Sequence, residues 1–255
     1  MRHARYLIAA LAVAVLLAIL FAARRMLPGL DKASEIARPG PVHVYRDLKR
    51  KLDQIQIYAV YAVPRDRVKE TYGKWQDDWE TVLAEAGRFH ELQFSGRSEL
   101  SRRIFPRPIV LEQNGAFYDV PQVESGKSEA VRPLYEEIER RVIRPDGDLY
   151  DSEYALAGKD AYPVIAILYE GVGGSGAPGV VLLSSSYFSD PTYQPFRSAL
   201  FYHEFGHALG LPDLYDTKTG TPFSDGIMGR GRERPLAATY LEPDLRKEMQ
   251  STLPE

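Results

Sequence analysis

The chain has 255 residues, long enough for one well-packed domain, and its lack of cysteine excludes thiolate metal ligands. The first 25 residues carry four of the 32 lysines and arginines and none of the 35 aspartates and glutamates. The remainder therefore has 28 basic against 35 acidic residues, a net charge of −7. An acidic body argues against binding to nucleic acid or to an anionic membrane surface.

The chain begins with an apolar segment. Tyr6 to Ala23 are 18 residues without a charge, bounded by arginines on both sides. A helix of this length would be about 27 Å long, enough to cross the hydrocarbon core of a membrane. Cleavage after Ala23 would place Phe21 at the −3 position, where signal peptidases need a small residue. We therefore expect residues 1–25 to be an uncleaved signal anchor with the rest of the chain outside the cytoplasm. A cleaved signal peptide, which would make the protein secreted, is the alternative.

Residues 26–41 contain prolines and glycines without apolar periodicity, which predicts a stalk, and residues 42–255 are expected to form one domain. Between Gly96 and Gly126 the sequence shows only short strand-like pieces such as Ile109–Leu111. Elsewhere the periodicity predicts strands and helices in an α/β (α+β) order. These elements are strand Ile55–Val63, helix Asp66–Arg88, strand Phe89–Phe94, helix Ser128–Ile143, strands Pro163–Tyr169 and Gly179–Ser184, helix Pro195–Leu209 and helix Glu242–Leu253.

Two segments are similar to ligand-binding motifs. Gly171–Gly176 matches G-x-G-x-x-G after a strand, but Ala177–Gly179 leads into another strand instead of the helix that a dinucleotide site needs. We interpret it as a flexible loop between two strands. Asp146–Asp151 is rich in aspartate but lacks the spacing of an EF-hand, which favours a solvated turn and leaves a Ca²⁺ site as the minor alternative.

The segment from position 203 to 213 reads H-E-x-x-H-x-x-G-x-x-D and has the spacing of a metal site. Residues i and i+4 of a helix share one face, so His203 and His207 can offer two imidazoles to one Zn²⁺, with Glu204 beside them as general base. Gly210 allows the chain to leave the helix in a left-handed conformation. Asp213 can then return to the metal as third ligand. The fourth position stays open for water, as in catalytic zinc sites.

The third ligand has one rival. The other histidines, at positions 3, 43 and 90, all lie more than a hundred residues before the motif, and cysteine is absent. The nearby third ligand must therefore be a carboxylate, and Asp216 is the alternative to Asp213.

The motif resembles those of known metallopeptidases. HEFGHALGL, residues 203–211, resembles the active-site helix of the matrixins, and Pro212–Asp216 is similar to the immune-inhibitor-A peptidases. An aspartate as third ligand is also similar to the snapalysin type. Ser224–Gly229 fits the methionine turn of metzincins, with Met228 beneath the histidines. The resemblance, which covers about residues 196–230, implies a metzincin-like zincin. In such a fold a twisted mixed sheet with backing helices lies above the active-site helix, and a short C-terminal subdomain carries the methionine turn.

The resemblance also raises two expectations about substrate contacts. Metzincins pair an extended substrate with an edge strand ahead of the active-site helix, which here implies Gly179–Ser184. Some metzincins use a tyrosine that closely follows the methionine, but no tyrosine does so after Met228. Tyr215 and Tyr240 are the candidates for that role.

The implied function is hydrolysis of peptide bonds in extracytoplasmic polypeptides by a membrane-tethered zinc endopeptidase. The rival hypothesis is a non-catalytic envelope protein that binds a peptide or a partner and holds zinc as a structural element. Glu204 favours the enzyme, because a structural zinc site needs no base beside an open metal position.

Overall fold

The structure is a computed structural model that describes residues 51–119, 132–154 and 161–250. At its centre is a six-stranded sheet in the order β2-β1-β4-β6-β5, with β3 also paired to β1. Every pair is parallel except β5 with β6, so the sheet is mixed. The strands are β1 (Lys51–Val63), β2 (Glu99–Ile104), β3 (Ile109–Val110), β4 (Ala161–Tyr169), β5 (Gly174–Ala177) and β6 (Val180–Ser184).

The helices pack on both faces of the sheet. They are α1 (Trp75–Phe94), α2 (Gly115–Tyr118), α3 (Arg132–Ile138), α4 (Ser186–Ser189), α5 (Arg197–Ala208) and α6 (Pro243–Gln250). α3 continues as a π-helix over Glu139–Ile143. Short 3₁₀ helices span Arg65–Glu70, Ser152–Tyr154, Arg230–Glu233 and Leu236–Ala238. The mixed sheet and its backing helices confirm the predicted fold class.

β1 explains why the core has two sides. Its side chains alternate in direction, so Tyr61 and its neighbours two residues away enter the cluster with α1 and α5. Tyr58 and Val60 enter the opposite cluster with α3. On the first side, the Trp79 ring of α1 makes edge-to-face contacts with Phe188 of α4 and Phe201 of α5. The active-site helix is thus anchored in the larger core.

The predicted strand Phe89–Phe94 is wrong, because these residues are the last turns of α1. The alternation in the sequence is also compatible with a helical face, and burial of Ala86, Phe89 and His90 shows that the helical spacing prevails. The helix ends at Ser95, whose φ of 54° is left-handed. It begins at Trp75 instead of Asp66, after a separate 3₁₀ segment.

Asp78 differs from the acidic residues next to it on α1. Its neighbours Asp77 and Glu80 are exposed. Instead its carboxylate is buried and pairs with the Arg197 guanidinium at 2.7 Å, with Tyr72 as a hydrogen-bond donor. The pair ties α1 to the first residue of α5.

The predicted edge strand is wrong as well. β6 lies between β4 and β5, so the edge belongs to β5, within the glycine segment interpreted as a flexible loop. Pro178 and Gly179, with φ of 76° at the glycine, make the tight turn between the two strands. Glycine has no side chain to signal a strand, and pairing with β6 supplies the order that the sequence does not show.

The turn that leads into β5 is fixed by side chains. Asp119 accepts hydrogen bonds from the Tyr169 hydroxyl at 2.8 Å and from the Val172 amide at 3.4 Å, and it forms an ion pair with Arg67. Gly173, with φ of 106°, accepts a hydrogen bond from the Ser184 amide at 2.8 Å. The segment before β5 is therefore held in one conformation.

Other predictions fall partly or wholly outside the described residues. The anchor 1–25 and the stalk 26–41 do so entirely. Of the predicted helix Ser128–Ile143, the described part begins at Arg132. Across residues 51–119, 132–154 and 161–250, no helix has the length and apolar character needed to cross a membrane. In the aspartate-rich turn, Asp146 and Asp148 pair with Arg144 and Arg141.

Candidate metal centre

α5 brings two histidines together. The Nε2 atoms of His203 and His207 lie 3.3 Å apart. Nδ1 of His203 lies 3.0 Å from the carbonyl oxygen of Ile227, and Nδ1 of His207 lies 2.7 Å from that of Leu211. A carbonyl oxygen can only accept, so each Nδ1 carries a proton and each ring turns its Nε2 towards the other.

A carboxylate completes the group. Gly210, with φ of 87°, turns the chain after the end of α5. Asp213 follows, and its Oδ1 lies 3.3 Å from Nε2 of His203 and 3.0 Å from Nε2 of His207. Asp216 is not brought to the histidines, because its carboxylate accepts the backbone amides of Lys218 and Thr219 in a local turn. The structure therefore groups Asp213 with the two histidines.

The donor set of His203, His207 and Asp213 fits a cation. One ligand atom from each side chain lies within 4.8 Å of the others. Oδ1 of Asp213 is buried without a hydrogen-bond donor, as expected if both Nε2 atoms are unprotonated. Three acceptor atoms that converge without a proton between them repel one another unless a positive charge lies among them. Two imidazole nitrogens and a carboxylate oxygen are donors that Zn²⁺ takes in catalytic sites.

The closeness of Asp213 to the histidines shifts the pKa of His207 and of Asp213 in opposite directions. Burial works against the charged form of His207, but the Asp213 carboxylate and the Glu204 charge outweigh it and raise the pKa of His207. Burial likewise opposes the charged form of Asp213, but the nearby His203 and His207 lower the pKa of Asp213 well below its usual range. Both directions are those expected where an imidazole and a carboxylate lie close together.

Glu204 lies on α5 beside the histidines and beneath β5. A Cβ placed on Gly176 of β5 would be 2.1 Å from the Glu204 carbonyl oxygen and 2.6 Å from Cβ of His207. The side chain of Glu204 is half-buried. Burial raises the pKa of Tyr187, a neighbouring residue beneath β5. The backbone of α5 at Glu204 thus lies directly beneath β5.

Met228 lies buried against the active-site helix, inside the segment predicted as a methionine turn. A Cβ on Gly206 would be 2.5 Å from its sulfur, so the thioether rests directly on the helix backbone between the two histidines. The adjacent carbonyl of Ile227 is the one that accepts the His203 Nδ1 proton. The turn therefore both supports the helix and orients one histidine.

Glu242 is a site residue that sequence reasoning missed. Its two carboxylate oxygens accept the Met228 amide at 3.2 and 3.3 Å, and a Cβ on Gly226 would be 2.5 Å from its carboxyl carbon. Burial raises the pKa of Glu242. The only sequence signal is an acid before the C-terminal helix, which has many ordinary explanations. Gly176 and Gly206 were missed for a similar reason, since a glycine shows its role only when its neighbours are known.

Of the two candidate tyrosines, Tyr215 lies near the group. Its ring centroid is 6.0 Å from that of His203, and the guanidinium carbon of Arg232 lies 3.7 Å above the ring. Burial, followed by the Asp213 charge, raises the pKa of Tyr215. Tyr240 is 44% exposed, and its carbonyl accepts the Ile227 amide.

Comparison with known proteins agrees with this geometry. Residues 182–228 match the family model described as Immune inhibitor A peptidase M6, catalytic domain. This segment contains most of β6, all of α5 and the turn that ends at Met228. A search of curated protein sequences finds no match.

Two solved structures are similar at low identity. Archaemetzincin from Methanopyrus kandleri is 13% identical over 78% of this chain and 96% of its own, with a TM-score of 0.38. Metalloproteinase-II from Bacteroides fragilis is 12% identical over 88% of this chain and 60% of its own, with a TM-score of 0.43.

The family match falls on the segment that carries the paired histidines, the glutamate beside them and the buried methionine. A mixed sheet with an antiparallel edge strand lies above that segment. In the segment that carries this site, the chain is therefore similar to the catalytic domain of the immune inhibitor A metallopeptidases.

Proposed function

We propose that the chain is an endopeptidase that binds one catalytic zinc through His203, His207 and Asp213 and uses Glu204 as its general base. The observation that carries the proposal is the convergence of three acceptor atoms, one of them buried without a donor, next to a half-buried glutamate. Gly210 and Met228 have supporting roles, the first in the turn to Asp213 and the second beneath the helix.

Each side chain has a defined task in this chemistry. Zinc, when bound, supplies a Lewis acid that polarises the scissile carbonyl and acidifies water. Glu204 takes the proton of the attacking water as its oxygen bonds to the carbonyl carbon, and passes that proton to the leaving nitrogen as the C–N bond breaks. The hydrogen bonds from Nδ1 of His203 and His207 to backbone carbonyls hold the rings in the tautomer that leaves Nε2 free.

Among the described residues no strand pairs with the outer edge of β5, and this edge supports cleavage within a polypeptide. The Ser184 amide donates to the Gly173 carbonyl, and facing groups alternate along an antiparallel strand, so Gly174 and Gly176 direct their amides and carbonyls away from β6. An extended peptide can pair with this edge above Glu204. A Cβ on Gly176 would meet α5, so the glycine lets this edge lie close to the helix.

We further propose that residues 1–25 anchor the protein in a membrane and that the stalk 26–41 carries the catalytic domain outside the cytoplasm. The uncharged segment from Tyr6 to Ala23 and its poor cleavage sites support this. We expect the mature chain to keep its N-terminus and the catalytic domain to be digested by protease added to intact cells or spheroplasts. A mature N-terminus near Arg24 would instead show a secreted enzyme, and protection from external protease would reverse the orientation.

Glu204→Gln tests the catalytic proposal. We expect the full-length variant to keep its zinc, because the substitution removes no ligand, and to lose at least about a hundredfold in hydrolysis of a peptide library, since general-base assistance is worth roughly 10²–10⁴. The measurement combines zinc content with turnover. The third ligand is tested by comparing the zinc content of two matched variants, Asp213→Ala and Asp216→Ala.

Three outcomes would contradict the proposal. Turnover like that of the wild type in Glu204→Gln would place the base elsewhere, and zinc binding without turnover in either protein would favour the non-catalytic peptide-binding module. Loss of zinc in Asp216→Ala, with full occupancy in Asp213→Ala, would overturn the ligand assignment.

A further inference from the structure

One peptide group links His203 to the buried carboxylate of Glu242. It is the group that joins Ile227 to Met228. Its carbonyl oxygen lies 3.0 Å from Nδ1 of His203, and its N–H donates to the two carboxylate oxygens of Glu242 at 3.2 and 3.3 Å. The peptide bonds of the described residues are all trans, so the C=O and the N–H of this group point in opposite directions. Carboxylate, peptide group and imidazole therefore form one chain of hydrogen bonds that ends at the ring of His203.

The corresponding hydrogen bond of His207 has no such chain behind it. Nδ1 of His207 lies 2.7 Å from the carbonyl oxygen of Leu211, and the next residue is Pro212. Proline has no N–H, so the peptide group that accepts the His207 proton cannot itself donate to a carboxylate. The two histidines of the metal centre thus differ in what lies behind their outer nitrogen.

The carboxylate of Glu242 is fixed in position. The residue before it, Leu241, donates its amide to the side chain of Gln93 in α1 at 3.0 Å. Gly226 leaves room for the carboxylate, because a Cβ there would be 2.5 Å from the carboxyl carbon of Glu242. Glu242 is only 5% exposed, and hydrogen bonds to a buried carboxylate are stronger than the same bonds in water.

The contacts of Glu242 favour polarisation of the peptide group. Burial raises the pKa of Glu242, and hydrogen bonds from the Ser224 side chain and the Met228 amide act in the opposite direction, because they stabilise the carboxylate. A carboxylate at the N–H of a peptide group shifts electron density onto its carbonyl oxygen. The Ile227 oxygen then accepts the Nδ1 proton of His203 more strongly, which raises the basicity of Nε2.

We propose that Glu242 is a positioning residue of the metal centre, which acts through the Ile227–Met228 peptide group to orient His203 and to strengthen it as a zinc ligand. The inference rests on the proposed function, because it takes His203 as a ligand of zinc. Direct outer partners of metal-binding histidines are worth about 10–100-fold in metal affinity. Because a peptide group lies between Glu242 and His203, we expect an effect of about tenfold, at the lower end of that range.

The zinc affinity of the full-length protein tests the inference independently of hydrolysis. Glu242→Gln keeps the size of the side chain and an oxygen for the Met228 amide but removes the charge. We expect the dissociation constant for zinc, measured by competition with a chromophoric chelator, to rise about tenfold. Asp244→Asn is the matched control, because it removes one negative charge from an exposed residue of α6. It should leave the dissociation constant unchanged.

A second variant separates the position of the carboxylate from its charge. In Gly226→Ala the new Cβ would push the Glu242 carboxylate, the end of a flexible side chain, away from the Met228 amide without changing its charge. The backbone of Gly226 is not left-handed, so alanine can adopt it. We expect zinc binding to weaken to a similar extent. This variant also tests the inference if the buried glutamine of Glu242→Gln disturbs folding.

The ring N–H protons show whether the effect passes through the peptide group. The chain has five histidines, so ¹⁵N labelling of histidine gives a small set of ring signals in the NMR spectrum of the zinc-loaded protein. We expect the Nδ1 proton of His203 to move upfield in Glu242→Gln and in Gly226→Ala, because its hydrogen bond is weaker. The Nδ1 proton of His207 should keep its position.

Four outcomes would overturn the inference. They are an unchanged zinc affinity in Glu242→Gln, an equal loss in Asp244→Asn, full affinity in Gly226→Ala, and equal movement of the two ring protons. The last two would show that the charge acts through space and not through the peptide group. Hydrolysis by the wild type with any of these outcomes leaves the proposed function intact. Zinc binding that depends on Glu242, in a wild type that hydrolyses no peptide, supports the inference and overturns only the proposed catalysis.

Discussion

The helix α5 and the strand β5 contact each other at the metal centre. Large side chains hold α5 in place, whereas β5 can approach because its residues are small. α5 is held by side chains, because Tyr202, Phe201 and Phe205 are buried in the core and Arg197 pairs with Asp78. β5 reads Gly174-Ser175-Gly176-Ala177 and lies against α5 because side chains are missing. Bulky residues thus fix the helix, while the absence of a Cβ allows the edge strand to lie against the α5 backbone at Glu204.

The largest expected effect comes from adding one carbon to β5. In Gly176→Ala the new Cβ would lie 2.1 Å from the Glu204 carbonyl oxygen and 2.6 Å from Cβ of His207, and neither atom is the end of a flexible side chain. The strand must move away from the helix, and a displacement of about 1 Å can cost about a hundredfold in rate. We expect a loss of that size in kcat/KM.

Gly87→Ala is the matched control for this substitution. Gly87 lies in the interior of α1, and a Cβ there would meet no atom within 4 Å. We expect unchanged turnover and a gain of up to about 1 kcal/mol in the free energy of unfolding. Full activity in Gly176→Ala would contradict the close packing of β5 on α5.

A smaller effect is expected from the corresponding change on the helix itself. In Gly206→Ala the new Cβ would lie 2.5 Å from the sulfur and 3.0 Å from the terminal carbon of Met228, a side chain that can change rotamer. We expect a loss of about 1–3 kcal/mol in the free energy of unfolding, retained zinc, and a decrease in activity of about tenfold or less. Urea denaturation measures the free energy of unfolding, metal analysis measures the zinc content, and peptide hydrolysis measures the activity.

The double variant Gly206→Ala with Met228→Ala checks the cause. Removal of the thioether makes room for the added carbon, so the two substitutions should be less destabilising together than the sum of each alone. Additive effects would show that Met228 is not the obstacle.

The smallest effect concerns the core-facing side of α5. His90 of α1 is buried, with Nδ1 2.9 Å from the Tyr202 hydroxyl and Nε2 2.7 Å from Oγ of Ser98. Burial lowers the pKa of His90 to about 3. The folded state therefore keeps His90 neutral, and the stability that this gives is complete above about pH 6.5 and is lost as the pH falls towards 3.

His90→Gln should accordingly leave turnover at neutral pH close to that of the wild type. The difference in the free energy of unfolding between the metal-free wild type and the metal-free variant should shrink by about 2 kcal/mol between pH 7 and pH 5, at about 1.4 kcal/mol per pH unit below 6.5. Urea denaturation at both pH values measures it. A difference independent of pH would mean that His90 accepts a proton in the folded state.

The sequence by itself determined the elements whose signal is local. The apolar runs of β1, β4 and β6 and the spacing of His203 and His207 need no partner to be recognised, because burial on both faces and the helical repeat appear directly in the order of residues. The role of Gly210 could also be recognised from the sequence, since its left-handed conformation follows from its place after the helix.

Only the tertiary structure decided what depends on distant neighbours. Phe89–Phe94 alternates like a strand but joins α1, because its rings complete a helical face that the core accepts. The edge strand could not be recognised, since glycines carry no strand preference and β5 gains its order from pairing with β6. Glu242 contacts Met228 across 14 positions, and Gly176 approaches His207 across 31, so their roles arise only when the chain is folded.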